Sequence, residues 1–424
     1  MPDRATPPTP SLLTPAEAAA AILGEIDPMP VECIPLPETL GRVMAADVPS
    51  PVNLPPWTNS AMDGYALRSA DLADGVPREL EIVEEVAAGR FPTRSVRSGE
   101  CTRVFTGAPV PEGADTVVRQ EDTTRLTDRR VRVDDARDAG RNVRPVGEDI
   151  VKGSVVLRRG TLIGAAEVGL LASVAMTDVY VHRKPTIALL ATGDEVAELD
   201  EADAILEGRK IASSNSYTML AMTRLAGAEP MPLGIARDDP ADVRQHVQKA
   251  FPADLFVSSG GVSVGEHDHL HGVLEEMGLQ RRFWRVRMRP GAPVGYGRVK
   301  GLRWIGLPGN PVSTMVTFEL FVRPAIRKML GHREPFRRTI PVRAGEPMET
   351  PSRLQHFLRV RLASDGDGLP TAFLTGPQGS GILTSMSKAD ALLVVPEERE
   401  RVEPGDELRA IRLDETRHVE VVPF

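Results

Sequence analysis

A short apolar run, a glycine-rich break and a helical pattern follow one another between residues 255 and 277, and this order constrains the fold most. Leu255–Val257 predicts a buried strand, and apolar residues recur at helical spacing from Leu270 to Met277. Ser259, Gly260 and Gly261 lie between them. Glycines let successive backbone N–H groups approach an anion, so the pattern predicts a phosphate-binding loop between a strand and a helix N-terminus.

The residues after this loop favour different chemistries. Asp268 precedes the helix, and a carboxylate beside a phosphate loop is typical of a Mg²⁺ ligand. Gly261–Gly265 also matches G-x-S-x-G, the nucleophile elbow of serine hydrolases, with Ser263 as nucleophile. That elbow needs its serine at the turn straight off the strand, so the phosphate loop is favoured. His267 and His271 are four residues apart on the predicted helix and could bind zinc. The plainest alternative is a glycine-rich connection that binds no ligand.

From residue 184 onward, predicted strands and helices alternate regularly, which indicates a doubly wound α/β domain. Glu195, Asp238 and Asp268 each follow the end of one of these strands. Ligands of such sheets bind at the carboxyl ends of the strands, so we expect the three acids to converge on one site. Asp239, by contrast, is predicted to be the N-cap of the next helix.

A run of alternating arginines follows the glycine loop and its helix. Phe283–Pro290 places Arg285, Arg287 and Arg289 on one face of a predicted strand. Three adjacent guanidinium groups repel one another unless an anion or acids lie between them. The pattern therefore indicates a phosphate-rich ligand or an exposed edge strand that is protected by charge.

The next predicted strand ends in the rigid turn Leu307–Pro311. Pro308 and Gly309 of this turn precede a long helix, which begins at Asn310 or Pro311. The N-terminal amides of that helix should face the same strand-end crevice.

The flanking regions predict one helix and two β domains. Thr14 as N-cap and Glu17 in a capping box start a helix that runs to about Ile26. Short β-rich runs alternate with turns over residues 78–135, and again from about Phe336, which indicates two β domains.

Two polar residues near the first β domain have open interpretations. Asp63 either lines a site, together with the apolar side chains of its loop, or makes a simple hairpin turn with Gly64. The hydroxyl of Thr106 either binds an anion or caps a turn.

Composition narrows the class of protein. The chain of 424 residues suggests two to four domains, and 41% hydrophobic and 26% charged residues are typical of globular proteins. A net charge of −8 disfavours nucleic-acid binding, and no apolar run is long enough to span a membrane. Two cysteines, Cys33 and Cys101, and an N-terminus without a signal-peptide core predict a cytoplasmic protein without a disulfide framework.

Six short motifs occur in a fixed order along the chain. They are NSAMDGY at Asn59–Tyr65, TGAP at Thr106–Pro109, GEDI at Gly147–Ile150, TGDE at Thr192–Glu195, SSGGVSVG at Ser258–Gly265 and LPGNP at Leu307–Pro311. With these motifs the chain resembles the molybdopterin molybdenumtransferases, the MoeA-type enzymes also found as the C-terminal part of gephyrin. The resemblance begins at about Pro15 and covers nearly the whole chain. No single motif is specific, but six in order are.

The resemblance implies an activity and a set of substrates. Family members insert molybdate into adenylylated molybdopterin. Bound Mg²⁺ assists hydrolysis of the adenylyl phosphoanhydride, and AMP and molybdenum cofactor are released. Anionic substrates of this kind suit an amide nest, arginines and metal-binding carboxylates.

The resemblance also implies roles for individual residues. Asp238 and Asp268 would bind Mg²⁺, and Glu195 would orient molybdate or water. The substrate-binding positions would be Ser259, Gly260, Gly261, Ser263, Arg289, Pro308, Gly309, Asn310, Pro311 and Ser380. In the elongated homodimer of the family, Asp63, Thr106 and Asp149 would reach the site from the second subunit.

The implied architecture is α/β plus β, in a multidomain chain. Residues 11–51 and 148–182 would form an N-terminal helix and a linker or dimerisation domain, and residues 52–147 an inserted small β domain. Residues 183–332 would form the α/β molybdopterin-binding domain, and residues 333–424 a C-terminal β-barrel-like domain. A molybdopterin adenylyltransferase and molybdoenzyme apoproteins would be partners.

Two departures from the family pattern keep alternatives open. Arg289-Pro290-Gly291-Ala292-Pro293 replaces the usual Lys-Pro-Gly-Lys-Pro, so one cation becomes a planar guanidinium and the other is lost. Trp57-Thr58 stands where Phe-Asp is common, which would narrow the substrate mouth. A catalytically weakened molybdopterin-binding or scaffold paralogue is therefore the main alternative, ahead of a hydrolase that uses Ser263.

Overall fold

The structure is a computed structural model that describes residues 12–261, 269–350, 353–363 and 368–413. The chain divides into two compact units. The large unit comprises the residues up to Glu32, Gly41–Val43 and the chain from Val181 onward. The small unit comprises Cys33–Leu40 and Met44–Tyr180. Each unit has hydrophobic clusters of its own.

Up to residue 182 the chain forms two helices and a series of short strands. The helices are α1 (Pro15–Gly24) and α2 (Ala165–Ser173). The strands are β1 (Val31–Pro35), β2 (Val48–Pro49), β3 (Asn59–Ser60), β4 (Gly64–Leu67), β5 (Arg78–Val86), β6 (Glu100–Val104), β7 (Thr116–Arg119), β8 (Thr123–Thr127), β9 (Arg130–Val133), β10 (Val143–Arg144), β11 (Val155–Leu157) and β12 (Asp178–His182). The capping box of α1 is confirmed, because Glu17 N–H donates to Thr14 Oγ1 and Thr14 N–H donates to Glu17 Oε2.

The small unit is built on a six-stranded sheet with the order β7-β4-β6-β5-β9-β8, which contains the predicted β-rich runs. Tyr65, Leu80 and Val131 pack on one of its faces. A Cβ on Gly64 would lie 2.0 Å from Val118 O, so Gly64 allows close approach of β4 and β7. The hairpin interpretation of Asp63-Gly64 is wrong, since β3 pairs with β10 and not with β4.

The next part of the large unit alternates strands and helices. Its strands are β13 (Thr186–Thr192), β14 (Val196–Ala197), β15 (Ile211–Ala212), β16 (Glu229–Ala236), β17 (Leu255–Ser259), β18 (Gln280–Phe283), β19 (Met288–Arg289), β20 (Gly295–Val299) and β21 (Leu302–Leu307). Its helices are α3 (Ala202–Leu206), α4 (Ser214–Ala226), α5 (Pro240–Lys249), α6 (His269–Glu276), α7 (Pro311–Thr317) and α8 (Arg323–Met329). Asp239 caps α5 as predicted, because its carboxylate accepts Asp242 N–H at 2.9 Å.

Six of these strands form the doubly wound sheet that the sequence predicts. Their order is β16-β13-β17-β21-β20-β18, and the first four are parallel. Helices α4, α7 and α8 share a core with one face of the sheet, and α5 and α6 share a core with the other. The chain passes from β13 outward to β16 and then returns to β17 on the opposite side of β13. The strand order therefore reverses between β13 and β17, where α/β sheets bind ligands.

The predicted arginine strand is not present, and that prediction is wrong. β18 ends at Phe283 and β19 begins at Met288. Between them Val286 N–H donates to Ala292 O, and Met288 N–H donates back to Val286 O, both at 2.9 Å. This tight turn prevents Arg285, Arg287 and Arg289 from sharing a strand face. The alternation in the sequence reflects instead the burial of Val286 and Met288 in the core.

The long predicted helix is interrupted by a widened turn. A π-helical segment, Phe318–Val322, connects α7 to α8. Pro324, near the start of α8, has no N–H to continue the helical ladder, and a π-segment accommodates such a break.

The C-terminal part of the large unit is a closed barrel. Its elements are β22 (Thr339–Ala344), β23 (Met348–Glu349), β24 (Gln355–Ala363), β25 (Thr371–Leu374), α9 (Leu383–Ser387), β26 (Ala391–Val395), β27 (Arg401–Val402) and β28 (Glu407–Arg412). Five strands close in the order β24-β25-β22-β28-β26 and back to β24. β19 also pairs with β24, which brings Arg289 next to His356 on the barrel.

Candidate active site

A cavity of about 460 Å³ opens where the strand order of the sheet reverses. The loops that follow β13, β17 and β21 form its walls, together with the start of α4. It is lined by Ala191, Thr192, Glu195, Val196, residues 211–215, residues 259–261, Pro293 and residues 308–311. Candidate residues from three separate segments of the sequence thus line one cavity. They are Glu195, residues 259–261 and residues 308–311.

The glycine loop after β17 can be built only from glycines. Gly260 and Gly261 have φ angles of +82° and +70°, in the left-handed region that disfavours side chains. A Cβ on Gly260 would lie 2.6 Å from Thr192 Oγ1, and a Cβ on Gly261 would lie 2.6 Å from Leu270 Cβ. The loop therefore presents bare backbone to the cavity. Ser263, predicted as a further loop ligand or as a nucleophile, lies outside the described residues.

The Leu307–Pro311 turn has all its carbonyl oxygens held in place. Every carbonyl from residue 307 to residue 310 accepts a hydrogen bond. The donors are, in order, Gly260 N–H (3.0 Å), Thr314 Oγ1 (2.6 Å), Asn215 Nδ2 (2.7 Å) and Thr314 N–H (2.9 Å). The N–H groups of Gly309 and Asn310 donate to no partner among the described residues, so they remain available to an anion in the cavity.

Acidic side chains gather at the ends of β13 and β16. Asp238 N–H donates to Asp194 Oδ1 at 3.1 Å, and Asp194 N–H donates to Asp238 Oδ2 at 3.4 Å. Glu195 lines the cavity, and its carboxylate folds back over Gly193. Asp268, the other predicted metal ligand, lies outside the described residues.

The sequence interpretation missed Asp194, although it stands inside the TGDE motif. Carboxylates and phosphate oxygens are the ligands that Mg²⁺ prefers, and one or two carboxylates are usual. Asp194 and Asp238 fit that requirement. Across the parts of the chain that the structure describes, no group of three or more potential metal-binding side chains occurs. His271, part of the zinc alternative, contacts the Trp284 ring and lies 3.1 Å from Glu275, while His267 is outside the described residues.

A second cavity, of about 330 Å³, lies beside the barrel, and we call it the barrel pocket. Arg359 of β24 lines it and is 1% exposed. Its guanidinium donates to Ser385 Oγ and to Gly379 O, each at 3.0 Å, and no carboxylate pairs with it in the described chain. Burial lowers the pKa of Arg359 to about 10. A buried cation with neutral partners is unfavourable, and an anion would relieve it.

Two further basic residues line the barrel pocket. Arg289 is exposed, and His356 is buried. Burial lowers the pKa of His356, and the positive charge of Arg289 lowers it further. The sequence analysis selected Arg289 but missed Arg359. The sequence does contain a signal for Arg359, in HFLRV at residues 356–360. Arg359 stands two residues after Phe357, so the two side chains share one face of a buried strand.

Ser380 lies close to both cavities. Its carbonyl accepts Val312 N–H at 3.0 Å, which joins the barrel to the first turn of α7. The preceding residue, Gly379, lines the barrel pocket. Arg289 and Pro290 line the barrel pocket and Pro293 lines the strand-end cavity, so the 289–293 segment also reaches both.

The other predicted catalytic residues belong to the small unit. Asp63 Oδ1 accepts Thr106 N–H at 2.7 Å and Thr106 Oγ1 at 2.8 Å. These two bonds lower the pKa of Asp63, which is exposed and therefore ionised at neutral pH. Asp149 is also exposed, and among the described residues it makes no hydrogen bond to either of them.

Three family models match successive parts of the chain. They are the MoeA N-terminal region (domain I and II) over residues 13–175, the probable molybdopterin binding domain over residues 188–328 and the MoeA C-terminal region (domain IV) over residues 341–413. The matches span nearly all of the described chain.

Proteins of known name and structure are similar over most of their length. A molybdopterin molybdenumtransferase of Nostoc sp. is 35% identical over 382 residues, which cover 88% of this chain and 86% of the relative. One from Haemophilus influenzae is 33% identical over 403 residues, which cover 93% and 97%. The crystal structure of the molybdopterin biosynthesis moeA protein from Pyrococcus horikoshii matches with a TM-score of 0.82 and 28% identity, and covers 95% of this chain and 100% of that one. Among the described residues no helix has the length and apolar character needed to cross a membrane.

Proposed function

Because the chain belongs to the MoeA family, we propose that it is a molybdopterin molybdenumtransferase that inserts molybdate into adenylylated molybdopterin and releases AMP. One observation supports this most. The strand-end cavity is lined by Glu195 and by backbone amides that donate to no described residue, and the barrel pocket holds a buried arginine that pairs with no carboxylate of the described residues. The proposed reaction needs both cavities, because one substrate carries a pyrophosphate group and the other, molybdate, is a separate oxyanion.

In the proposed complex the strand-end cavity binds the pyrophosphate. The amides of Gly309 and Asn310 and the loop at Gly260 and Gly261 surround it without adding full charges. Fixed N–H groups aimed at phosphate oxygens stabilise the charge that develops on them, and they need no reorganisation during the reaction. Glu195, which lines the cavity, would orient a water molecule toward the adenylyl phosphorus. Attack of that water breaks the phosphoanhydride bond and yields AMP and the molybdopterin phosphate.

The acids at the ends of β13 and β16 would hold Mg²⁺. Asp194 and Asp238 are proposed as ligands, with Asp268 as a further candidate from the sequence. When bound, Mg²⁺ would neutralise phosphate charge and so assist departure of the leaving group.

The barrel pocket would bind molybdate. Arg359 supplies a desolvated positive charge, and Arg289 supplies a second one at the entrance. The 289–293 segment would then connect the oxyanion to the pyrophosphate, since it reaches the two cavities, and Ser380 would support it from between Gly379 of the barrel pocket and the first turn of α7.

Asp63, Thr106 and Asp149 would complete the site from a second copy of the chain, in a homodimer. Large apolar side chains exposed on the small unit support association, and they include Leu40, Val151, Val155, Leu162 and Tyr180. An adenylyltransferase would supply the substrate, and an apoenzyme would receive the product, in the cytoplasm.

The activity is tested with purified protein, adenylylated molybdopterin, molybdate and Mg²⁺. We expect AMP release that requires all three additions, and formation of a molybdenum cofactor that reconstitutes an apoenzyme. Asp238→Asn should lower AMP release at least tenfold at fixed Mg²⁺, and higher Mg²⁺ should partly restore it. Absence of AMP release by the wild-type protein would sink the proposal and favour a binding or scaffold role.

The shared site is tested by complementation. Asp63→Asn and Glu195→Gln change residues proposed to reach one site from different protomers, and each variant alone should be inactive. When the two are co-expressed, mixed dimers contain one intact site, so about a quarter of wild-type activity should return. Asp238→Asn with Glu195→Gln is the matched control, since both changes fall in the same unit and no intact site can form. Equal activities of the two mixtures would contradict a site between protomers.

A further inference from the structure

We infer that Asn215 is a positioning residue, which holds the Leu307–Pro311 turn so that its free amides face the ligand. The inference rests on the proposed function for the identity of that ligand. Asn215 lies in the first turn of α4 and lines the strand-end cavity. The six motifs do not include it.

The orientation of the Asn215 amide is fixed by its partner. Nδ2 donates to Gly309 O at 2.7 Å. Rotating the amide by half a turn would place two oxygens at that distance, so the hydrogen-bond network allows only one assignment. The bond links α4, which follows β13, to the turn that follows β21. It is the contact that fixes the carbonyl between the two free N–H groups of Gly309 and Asn310.

The other side of the amide indicates why this residue is present. Asn215 Oδ1 is buried and has no hydrogen-bond partner among the described residues. A buried amide oxygen without a donor lowers the stability of the folded chain. Asn215 therefore holds the turn at a cost in stability, which is typical of residues at functional sites.

Thr314 offers a contrast within the same turn. Its single hydroxyl proton is shared between Pro308 O at 2.6 Å and Asn310 O at 3.1 Å, and the residue is fully buried. Thr314 satisfies its own hydrogen-bonding groups while it supports the turn, so its role is accounted for by stability. Asn215 does not, and it supports Gly309 O, which lies between the two carbonyls that Thr314 holds.

A displaced turn would disturb both walls of the cavity. A Cβ on Gly309 would lie 3.8 Å from Gly260 Cα, so the turn packs against the glycine loop. Without the Asn215 bond, Gly309 O can turn toward water in the cavity, and the following amides move with it. Binding of the adenylyl phosphate should then weaken.

The test uses Asn215→Leu, which keeps the branched shape and removes the hydrogen bond, and Asn215→Ala. Leu225→Ala is the control, because Leu225 is 81% exposed near the other end of the same helix. Four quantities are measured: the denaturation midpoint, amide hydrogen exchange at Gly260 and Thr314, whose N–H groups donate to carbonyls of the turn, the dissociation constant of AMP with Mg²⁺, and kcat and KM for AMP release.

We expect both Asn215 variants to weaken AMP binding and lower kcat about tenfold, while the midpoint stays equal or rises. Exchange at Gly260 and Thr314 should accelerate, and Leu225→Ala should match the wild type in AMP binding and exchange. A midpoint that falls in step with activity would assign Asn215 a structural role and overturn the inference, as would wild-type exchange and affinity. If the wild-type protein bound no AMP while Asn215→Leu still accelerated exchange, the proposed function would fail and the positioning of the turn would stand.

Discussion

The strand-end cavity and the barrel pocket lie in the same unit, yet they offer an anion opposite kinds of contact. The first presents the N–H groups of a proline-flanked turn beside a glycine loop without side chains. The second presents the guanidinium of Arg359, which is buried among neutral partners. Amides in a fixed turn bind an anion because their N–H groups point at its oxygens, so their geometry matters most. A desolvated cation binds an anion through its full positive charge. Changes in backbone shape should therefore damage the first site, and changes in charge should damage the second.

The largest effect is expected from a side chain on the glycine loop. In Gly260→Ala the new Cβ meets Thr192 Oγ1 at 2.6 Å, and φ is +82°. The loop must move, so AMP release should fall about a hundredfold, in the range observed when an oxyanion donor is lost. The free energy of unfolding should fall by about 1–3 kcal/mol because of backbone strain. Steady-state kinetics and denaturant titration measure the two effects.

Gly272→Ala is the matched control for that substitution. Gly272 lies within α6, and a Cβ there would meet no described atom within 4 Å outside the backbone of that helix. Alanine should stabilise the helix by about 0.5–1 kcal/mol and leave AMP release unchanged. If Gly260→Ala were as active as Gly272→Ala, the loop would not bind the substrate through its backbone.

Arg359→Met should separate charge from shape in the barrel pocket. Methionine fills similar volume without a buried charge, so the free energy of unfolding should stay equal or rise by about 1–4 kcal/mol. Molybdate affinity, measured by calorimetry, should fall at least tenfold, because the desolvated cation is lost. AMP affinity should be unchanged.

Arg361→Met provides the comparison on the same strand. Arg361 is exposed two residues farther along β24, so its loss should change neither molybdate affinity nor stability appreciably. Loss of stability in Arg359→Met without loss of molybdate affinity would show that the buried guanidinium serves the barrel and not a ligand.

The barrel pocket should also respond to pH. The pKa of His356 is lowered by burial and by Arg289, so the ring is neutral near pH 7 in the free protein. A bound anion offsets the charge of Arg289 and raises that pKa, so binding takes up a proton. Molybdate affinity should therefore increase about threefold as the pH falls from about 8 to 6. His356→Gln should remove this dependence, and an equal slope in the variant would assign the proton to another group.

The same difference between shape and charge explains what could be predicted from the sequence. Gly260, Gly261 and the Leu307–Pro311 turn were predictable because consecutive residues determine a local backbone shape. Arg359 and Asn215 were not, since their partners are distant in sequence: Asn215 meets Gly309, 94 positions away. The alternating arginines at 285–289 predict a strand that is not present, because the buried residues between them belong to a tight turn.

For the acids at the strand ends, the sequence predicts their place in the sheet but not their contacts. Parallel strands made it predictable that the residues after β13 and β16 would lie at the same edge of the sheet. The reciprocal bonds between Asp194 and Asp238 depend on how two loops bend after their strands, and the sequence does not encode that bend in a recognisable pattern.

The smallest effect is expected at Ala292, which lies between the two cavities. Its carbonyl accepts N–H groups from Val286 and Val294, so the backbone of this segment is fixed and a new side chain should not displace it. Ala292→Lys adds a point charge beside a segment that lines both sites, whereas Ala292→Met adds comparable length without charge. If the barrel pocket binds its anion mainly through charge, the new lysine should raise molybdate affinity about twofold. Added salt should screen this gain. AMP affinity should not change in either variant. A gain in AMP affinity alone would show that charge matters more in the strand-end cavity, and the contrast between the two sites would then have to be reversed.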